Sequence, residues 1–181
     1  MVEKSLEAHF IKCLKEGNTK KALYIIKLLG DDVNKIYDHS SLLLWASSHG
    51  NVEVVKTLIE NGAKVDEKDN RGYTALIWAS EKGHIEVVKT LLDAGADVNI
   101  KEDGGKTALI WASMGHVEVV KALLSRGAKV DEKDNKGKTA IDWAYNDEIW
   151  KMLIQALMKQ KVQKFKNFKN KISGFFGREQ R

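Results

Sequence analysis

The side chains best suited to chemistry in this sequence are five histidines and one cysteine. They are His9, His39, His49, His84, His116 and Cys13. No two histidines stand four residues apart on one helix, and no second cysteine supports a zinc cluster or an internal disulfide. His84 and His116 each follow a glycine, which indicates turn residues rather than metal ligands. Cys13 falls at a small apolar position, which favours a buried, inert thiol over a reactive one.

Motifs that bind cofactors or carry nucleophiles are missing from the sequence. It contains no Gly-x-x-x-x-Gly-Lys-Ser/Thr loop and no Gly-x-Gly-x-x-Gly segment. No local pattern supports a Ser-His-Asp or Cys-His arrangement. Asp103-Gly104-Gly105 is typical of a turn, not of a phosphate-binding loop. We therefore expect no enzymatic activity, no catalytic residue, no bound metal and no cofactor.

Four tryptophans recur at nearly constant spacing. Trp45, Trp78, Trp111 and Trp143 are separated by 33, 33 and 32 residues. Four indoles around one ligand would form an aromatic cage. Each tryptophan, however, precedes an alanine in the same register, which indicates a packed ladder rather than a cage.

The length and composition suit one folded domain. The chain has 181 residues, of which 43% are hydrophobic and 30% are charged, so it holds enough apolar material for a sizeable core. That apolar content excludes disorder throughout the chain, although not in a tail. No apolar run approaches the roughly 20 residues that span a bilayer. Early acidic residues such as Glu3 lead us to expect no signal peptide.

Positive charge is concentrated at the C-terminal end. Lys and Arg number 30 and Asp and Glu number 25, which gives a formal net charge of +5. From Lys151 onward there are nine cations and one anion, whereas residues 1–150 hold 21 cations and 24 anions. The chain is therefore a mildly acidic body with a basic tail, which does not match a uniformly basic nucleic-acid-binding domain.

A unit of about 33 residues is repeated through the middle of the chain. The segment Thr-Ala-Leu-Ile-Trp-Ala-Ser occupies residues 74–80 and again residues 107–113. Each unit predicts two short helices and a turn. The first helices are expected to begin at Ser41, Thr74, Thr107 and Thr139, where a hydroxyl can accept bonds from free amides. The second helices carry apolar pairs at helical spacing and end at Gly62, Gly95 and Gly127.

These units resemble the ankyrin repeat, whose period is about 33 residues and whose signature is Thr-Pro-Leu-His-x-Ala. The resemblance covers roughly residues 5–157. Two units depart from the signature, because alanine replaces its proline and isoleucine (Ile77, Ile110) replaces its histidine. The resemblance implies an all-α solenoid of stacked helix-turn-helix units with short turns. A C-terminal basic amphipathic helix is expected to follow it.

Three segments are predicted from the register of the repeats. Residues 1–32 form an N-terminal capping helix pair, because a stacked repeat otherwise exposes an apolar face. Residues 33–158 hold three full repeats and one degenerate C-terminal repeat, and residues 159–181 form a basic amphipathic tail. The third repeat lacks one residue between Ala112 and Gly115, which predicts a tighter first helix or a tighter turn between its two helices.

The resemblance also implies a binding surface, a concave face made of turn tips and the exposed side of the first helices. By position, the predicted protein-binding residues are Lys68, Asn70, Arg71, Tyr73, Glu81, Lys82, Lys101, Asp103, Lys106, Met114, Lys133, Asn135, Lys136 and Lys138. Repeat one adds Tyr37, His39, Ser40, Ser47 and Ser48. Tyr73 is the preferred anchor, since aromatic residues carry much interface energy. Lysine predominates in the set and is depleted at interfaces, so ordinary solvation is the competing interpretation for each residue.

The tail predicts one helix from about Asp147 to Ser173, capped by Asn146. Its apolar residues continue at helical spacing while lysines fill most of the other side. The tail residues expected to meet an anionic membrane or an acidic partner are Lys161, Lys164, Phe165, Lys166, Phe168, Lys169, Lys171, Phe175 and Phe176. The competing interpretation is that the aromatic stripe folds back on the repeats or frays in solvent.

The predicted function is a non-enzymatic protein–protein interaction module, a scaffold, adaptor or regulator that binds another protein through its concave face. The alternative is an adaptor that docks through its basic tail on a membrane surface or on nucleic acid, with nucleic acid the less expected of the two. We expect a monomer. We also expect a cytoplasmic location, because the sequence shows no signal peptide and no disulfide framework. A host cytosol is the expected location if the chain is a secreted effector.

Overall fold

In the computed structural model, the chain forms two layers of short helices followed by one long helix. The structure describes residues 2–30, 34, 36–37 and 40–176, without the side chains of residues 2–5, 7, 36–37, 40 and 170–176. The helices are α1 (Val2–Lys15), α2 (Thr19–Leu29), α3 (Leu42–Ser48), α4 (Val52–Glu60), α5 (Ala75–Lys82), α6 (Ile85–Asp93), α7 (Ala108–Ala112), α8 (Val117–Ser125) and α9 (Asp147–Phe176). A two-residue antiparallel ribbon, β1 (Ile36–Tyr37) with β2 (Ser40–Ser41), pairs Ile36 with Ser41.

The helices stack in pairs. In one layer α3 packs on α5 and α5 packs on α7, and in the other α2, α4, α6, α8 and α9 follow one another. Each first helix also packs on its own second helix, as α5 does on α6. Leu58, Leu91 and Leu123 occupy the same position in three successive second helices and are fully buried. The predicted all-α solenoid of helix pairs is confirmed.

Threonine begins two of the first helices as predicted. The hydroxyls of Thr74 and Thr107 accept hydrogen bonds from the amides of Ile77 and Ile110, each at 3.3 Å. Such bonds satisfy amides that have no partner inside the helix.

The predictions for the other two first helices need correction. Ser41 precedes α3 but makes no side-chain capping bond, and its buried hydroxyl has no partner among the described residues. Thr139 begins no α-helix. Its amide and its hydroxyl both donate to the Asp142 carboxylate, each at 2.7 Å, and this local bonding competes with helix formation. Residues 140–143 form turns, and residues 144–146 are irregular with a bend at Asn146.

Glycine ends the second helices as predicted. Gly62, Gly95 and Gly127 have φ of +83°, +88° and +82°, a left-handed conformation that favours glycine. After α4, the amide of Gly62 donates to Ile59 at 3.0 Å and that of Ala63 donates to Leu58 at 2.9 Å. These bonds close the helix end.

The missing residue of the third repeat was predicted to tighten its first helix or the turn after it, and the structure shows a shorter first helix. Helix α7 has five residues, whereas α5 has eight. The chain then turns through Met114, whose amide donates to Trp111 at 3.2 Å. Gly115 follows with φ of +144°.

The two ends of the stack differ. At the N-terminal end α1 and α2 form a helix pair in which Phe10 and Cys13 are buried, as predicted for Cys13. At the C-terminal end Asn146 caps α9 by accepting from the amide of Ile149 at 2.9 Å, also as predicted. Helix α9 extends three residues past the predicted end at Ser173, because a glycine such as Gly174 costs only about 1 kcal/mol in a helix.

Candidate functional site

Aromatic side chains line the face formed by α3, α5, α7 and the turns before them, which we call the inner face. Trp45, Trp78, Trp111 and Trp143 are each half-buried there. Tyr73 bridges two repeats, since its ring centroid lies 4.8 Å from that of Trp78 and 5.9 Å from that of Trp111. Tyr73 thus joins Trp78 to Trp111, and each of the four tryptophans leaves part of its surface exposed. We call this row of four tryptophans the aromatic ladder.

Tyr73 is not the exposed anchor that the sequence predicted. It is only 8% exposed, because Trp78 and Trp111 pack on its ring and the Arg71 guanidinium lies 4.8 Å above its centroid. Burial raises its pKa to about 12; Glu81 and Glu102 add to the increase, and Arg71 opposes it. Tyr73 is therefore a buried packing residue beneath the surface of the inner face.

Cations cover the outer faces of these rings. The Arg71 guanidinium lies 5.0 Å from the Trp78 centroid, and the Lys138 ammonium lies 4.7 Å from that of Trp143. The Lys106 ammonium lies 4.6 Å from the Trp111 centroid and 5.5 Å from the Trp143 centroid. Attraction between a cation and the negative face of an aromatic ring accounts for these positions. Weaker instances are Lys82 on Trp78 at 5.7 Å and Lys15 on Trp45 at 5.8 Å.

The carboxylates near these cations accept hydrogen bonds from groups in and just after their own turns. Asp69 accepts the amides of Arg71 and Tyr73, both at 2.9 Å, and the indole N–H of Trp78 at 3.2 Å. Asp134 accepts the equivalent amides of Lys136 and Lys138, and the indole N–H of Trp143 at 2.9 Å.

The pKa of Asp134 reflects this arrangement. Burial disfavours its charged form, but the hydrogen bonds from Lys138, Trp143 and Lys136 outweigh burial and lower the pKa. The carboxylate therefore remains charged and bonded within its own turn.

The third repeat departs from this pattern because glutamate replaces the turn aspartate. Glu102 accepts the amide of Gly104 at 2.6 Å and that of Lys106 at 3.0 Å. The indole N–H of Trp111 is then left buried without a partner among the described residues.

The predicted turn-tip residues lie on the surface and several bind the neighbouring repeat. Lys68, Asn70, Asp103, Lys133, Asn135 and Lys136 are exposed. The Lys101 ammonium lies 2.8 Å from Glu132 and donates to the carbonyl of Lys133. Lys68 donates to the carbonyl of Lys101 at 3.2 Å, and Asn135 donates to that of Asp103 at 2.8 Å. These bonds fix the turns relative to one another.

The remaining predicted residues have mixed placements. Lys82 pairs with Glu81 at 3.0 Å, and Met114 is partly buried against the core. Ser47 is fully buried, which corrects its placement on the binding face, and Ser48 donates to the carbonyl of Trp45 at 2.9 Å. His39 lies outside the described residues, as do the side chains of Tyr37 and Ser40.

Two histidines have a structural role that the sequence did not reveal. Nε2 of His84 lies 3.1 Å from the carbonyl oxygen of Ser48, and Nε2 of His116 lies 2.9 Å from that of Glu81. Each bond joins one repeat to the preceding one. The signal in the sequence was the recurrence of the Gly-His pair at a spacing of 32 residues.

The aromatic stripe of the tail does not pack on the repeats within the described residues. Phe165 and Phe168 are 68% and 61% exposed. The contacts with the last repeat come from another side of α9. There Gln160 donates to the carbonyl of Ala128 at 2.7 Å, and Lys164 lies 3.0 Å from Asp131.

The other predicted tail residues are placed only in part. Lys161, Lys166 and Lys169 are exposed. Lys171, Phe175 and Phe176 lie in helix α9, and their side chains are outside the part of the chain that is described. Across the described residues, no helix is both long enough and apolar enough to cross a membrane.

Over the same residues, no group of three or more His, Cys, Asp or Glu side chains is arranged to hold a metal ion. The site thus consists of aromatic rings, cations and turn backbone.

Comparison with known proteins agrees with this geometry. The sequence model described as ankyrin repeats (3 copies) matches residues 10–102 and 100–165. No curated protein gives a significant match. Ankyrin repeats generally mediate protein–protein interaction, and their family is generally non-enzymatic. Since the matched residues make up most of the chain, this protein belongs to the ankyrin repeat family.

Proposed function

We propose that this protein is a non-enzymatic adaptor that binds a partner protein through its inner face. The observation that carries the proposal is the row of cations on the aromatic ladder. Arg71, Lys106 and Lys138 each lie on an indole face, and none forms an ion pair with a carboxylate among the described residues. Arg71 and the aromatic rings are of the types that carry much of the energy of protein interfaces, whereas lysine is depleted there.

The proposal assigns a role to each segment. Residues 1–32 cap the array, residues 33–158 carry the binding face, and residues 159–181 form a separate tail. The predicted surface residues from Lys68 to Lys138 remain the candidate contacts, except that Tyr73 acts as a support. Monomeric state and cytoplasmic location stay predictions.

A photo-crosslinking residue tests the proposal. It is placed at Asn70 on a turn tip or at Lys56, which is exposed on α4, and captured proteins are identified by mass spectrometry. We expect one partner to crosslink at Asn70 and not at Lys56. Its purified form should then bind the Arg71→Ala variant at least about fivefold more weakly, as expected for an interface anchor, and the Lys56→Ala variant with unchanged affinity. Equal capture at both positions, or no effect of Arg71→Ala, contradicts the proposal.

A second candidate function is docking of the tail on an anionic membrane. It is supported by the exposure of Phe165, Phe168 and Val162, the last 54% exposed. Lysines surround these side chains, and each cation near an anionic bilayer adds about 1 kcal/mol of attraction. Amphipathic helices bind such surfaces by burying their apolar side.

Vesicle flotation of the full-length protein tests this second function. We expect flotation with anionic vesicles and not with neutral ones, and its loss in the Phe165→Ser/Phe168→Ser variant. The matched control is Tyr24→Ser/Leu28→Ser, which changes two apolar side chains that are 63% and 53% exposed on α2. Equal flotation of both variants, or none by the unmodified protein, contradicts membrane docking. Salt-sensitive binding to random duplex DNA without flotation would favour nucleic acid instead.

A further inference from the structure

We propose that the inner face binds an extended, carboxylate-rich segment of its partner, with an acidic side chain at about every third residue. This inference rests on the proposed function and specifies the chemistry of the partner. It follows from three features of the inner face: cations that form no direct ion pair within the described part of the chain, the spacing of these cations, and the covered faces of the tryptophans.

The cations of the inner face form no direct ion pair with a carboxylate among the described residues, although Lys106 lies near enough to Asp134, and Lys138 to Asp142, to help lower the pKa of those carboxyls. Arg71, Lys106 and Lys138 are bonded through their main-chain amides to turn carboxylates, but their charged groups lie on aromatic rings. Asp69 and Asp134 direct their oxygens at amides and at indole N–H groups within the turns. The nearby turn carboxylates are thus largely used within their own turns, and the three cations are left available to an outside anion, although residues 1–150 carry more anions than cations. Anions are attracted to such a row.

The cations recur once per repeat. Lys106 and Lys138 hold equivalent positions in successive repeats, and Arg71 stands two residues earlier in the turn before α5. Packed helices are about 8–10 Å apart. In a polyproline-II segment, three residues advance about 9 Å and bring the side chain back to the same side. Carboxylates at every third residue would thus meet successive cations.

The ring faces favour a peptide over single-stranded nucleic acid. Proteins that bind single strands stack bases on open aromatic faces. Here Lys106 covers one face of Trp111, and Lys138 covers one face of Trp143. A base would have to displace the cation, whereas a carboxylate can bind the cation where it lies and gain a charge-assisted hydrogen bond.

Two synthetic peptides of identical composition test the proposal. One carries glutamate at every third position in a Ser- and Pro-containing chain, and the other carries the same glutamates in one block. Calorimetry with the full-length protein should give binding at least about fivefold tighter for the spaced peptide. Affinity should fall as salt rises, because exposed charges are screened.

Two double variants that remove the same number of positive charges locate the site. Lys106→Gln/Lys138→Gln should weaken binding of the spaced peptide roughly fivefold or more, since two exposed ion pairs are lost. Lys56→Gln/Lys151→Gln removes two cations that are exposed on α4 and α9 and should leave affinity unchanged. If the first variant does not give a native thermal melt, Arg71→Gln takes its place.

Three results would overturn the proposal. They are equal affinity for the two peptides, equal effects of the two variant pairs, and tighter binding of oligodeoxythymidine that depends on Lys106 and Lys138. If the peptides fail while a crosslinked partner still depends on Arg71, this inference is wrong and the proposed function stands. If the crosslinked partner does not depend on Arg71, the proposed function fails as well.

Discussion

The imidazole of His84 lies directly over Gly50, a glycine of the preceding repeat. A Cβ atom added to Gly50 would lie 2.8 Å from Nδ1 of His84, while Nε2 of the same ring bonds the carbonyl of Ser48. His116 lies over Gly83 in the same way. At these junctions glycine is required for two reasons: its φ is positive, and the ring of the next repeat leaves no room for a Cβ atom.

This relationship predicts unequal costs for two glycine substitutions. Gly83 and Gly95 both have left-handed φ, of +74° and +88°, but an added Cβ meets a neighbour only at Gly83. Gly95→Ala should cost about 1–2 kcal/mol of unfolding free energy from backbone strain. Gly83→Ala should cost at least about 1 kcal/mol more in urea melts, because His116 must move. The excess should shrink in a His116→Ala background, and equal costs would contradict the contact.

The buried side of α6 should dominate its contribution to stability. Leu91 is fully buried, and Leu91→Ala should cost about 2–5 kcal/mol because it leaves a cavity. Lys89 is exposed on the same helix and pairs with Glu86 at 2.8 Å, and Lys89→Ala should leave the urea midpoint nearly unchanged. Similar midpoint shifts for the two variants would mean that the helix is packed in another register.

Tyr73 should ionise only at high pH, and the protein should lose stability as the pH rises toward that value. Its pKa is about 12 in the folded protein and about 10 in an unfolded chain. Between these values the folded state holds the proton and the unfolded state does not, so stability falls as pH rises from about 10 to about 12. The difference in tyrosinate absorbance between the protein and its Tyr73→Phe variant should emerge near pH 12. Emergence near pH 10 would show that Tyr73 is solvated.

Because of its indole hydrogen bond, Trp78 should contribute more to the unfolding free energy than the equivalent Trp111. Trp78 donates to Asp69, whereas the indole N–H of Trp111 has no partner among the described residues. Trp78→Phe should therefore lower the unfolding free energy by about 1 kcal/mol more than Trp111→Phe. Urea melts of both variants measure the difference. The opposite order would mean that the Asp69 bond contributes nothing to stability.

Local patterns predicted the helices because each helix is set by residues close to it in sequence. The apolar pairs of α6, the glycine after it and the Thr74 hydroxyl all lie within one unit. At Thr139 the same local pattern failed, since Asp142 three residues later accepts both donors of the threonine. This competing bond is also local, but the alignment of the repeats, on which the prediction was based, did not include it.

Burial on the inner face depends on contacts between units and was harder to predict. Tyr73 aligns with Lys106 and Lys138, and alignment alone gives all three the same turn position. Its burial comes from Trp111, a residue of the next repeat. The half-exposed ladder likewise depends on cations five residues before Trp111 and Trp143, a spacing that becomes meaningful only when the turn is folded.

Several bonds between neighbouring repeats recur at the spacing of one unit, which has a consequence for how such a chain changes over generations. His116 binds Glu81, Asn135 binds Asp103 and Arg126 binds Leu92. Lys68 and Lys101 bind the following repeat instead, so neighbouring units are joined in both directions. An in-frame duplication of residues 65–97 would place a copied histidine over a copied glycine without creating a new kind of junction. Recombination can therefore lengthen or shorten the array by whole repeats. The length of the array then changes while the fold of each repeat stays the same.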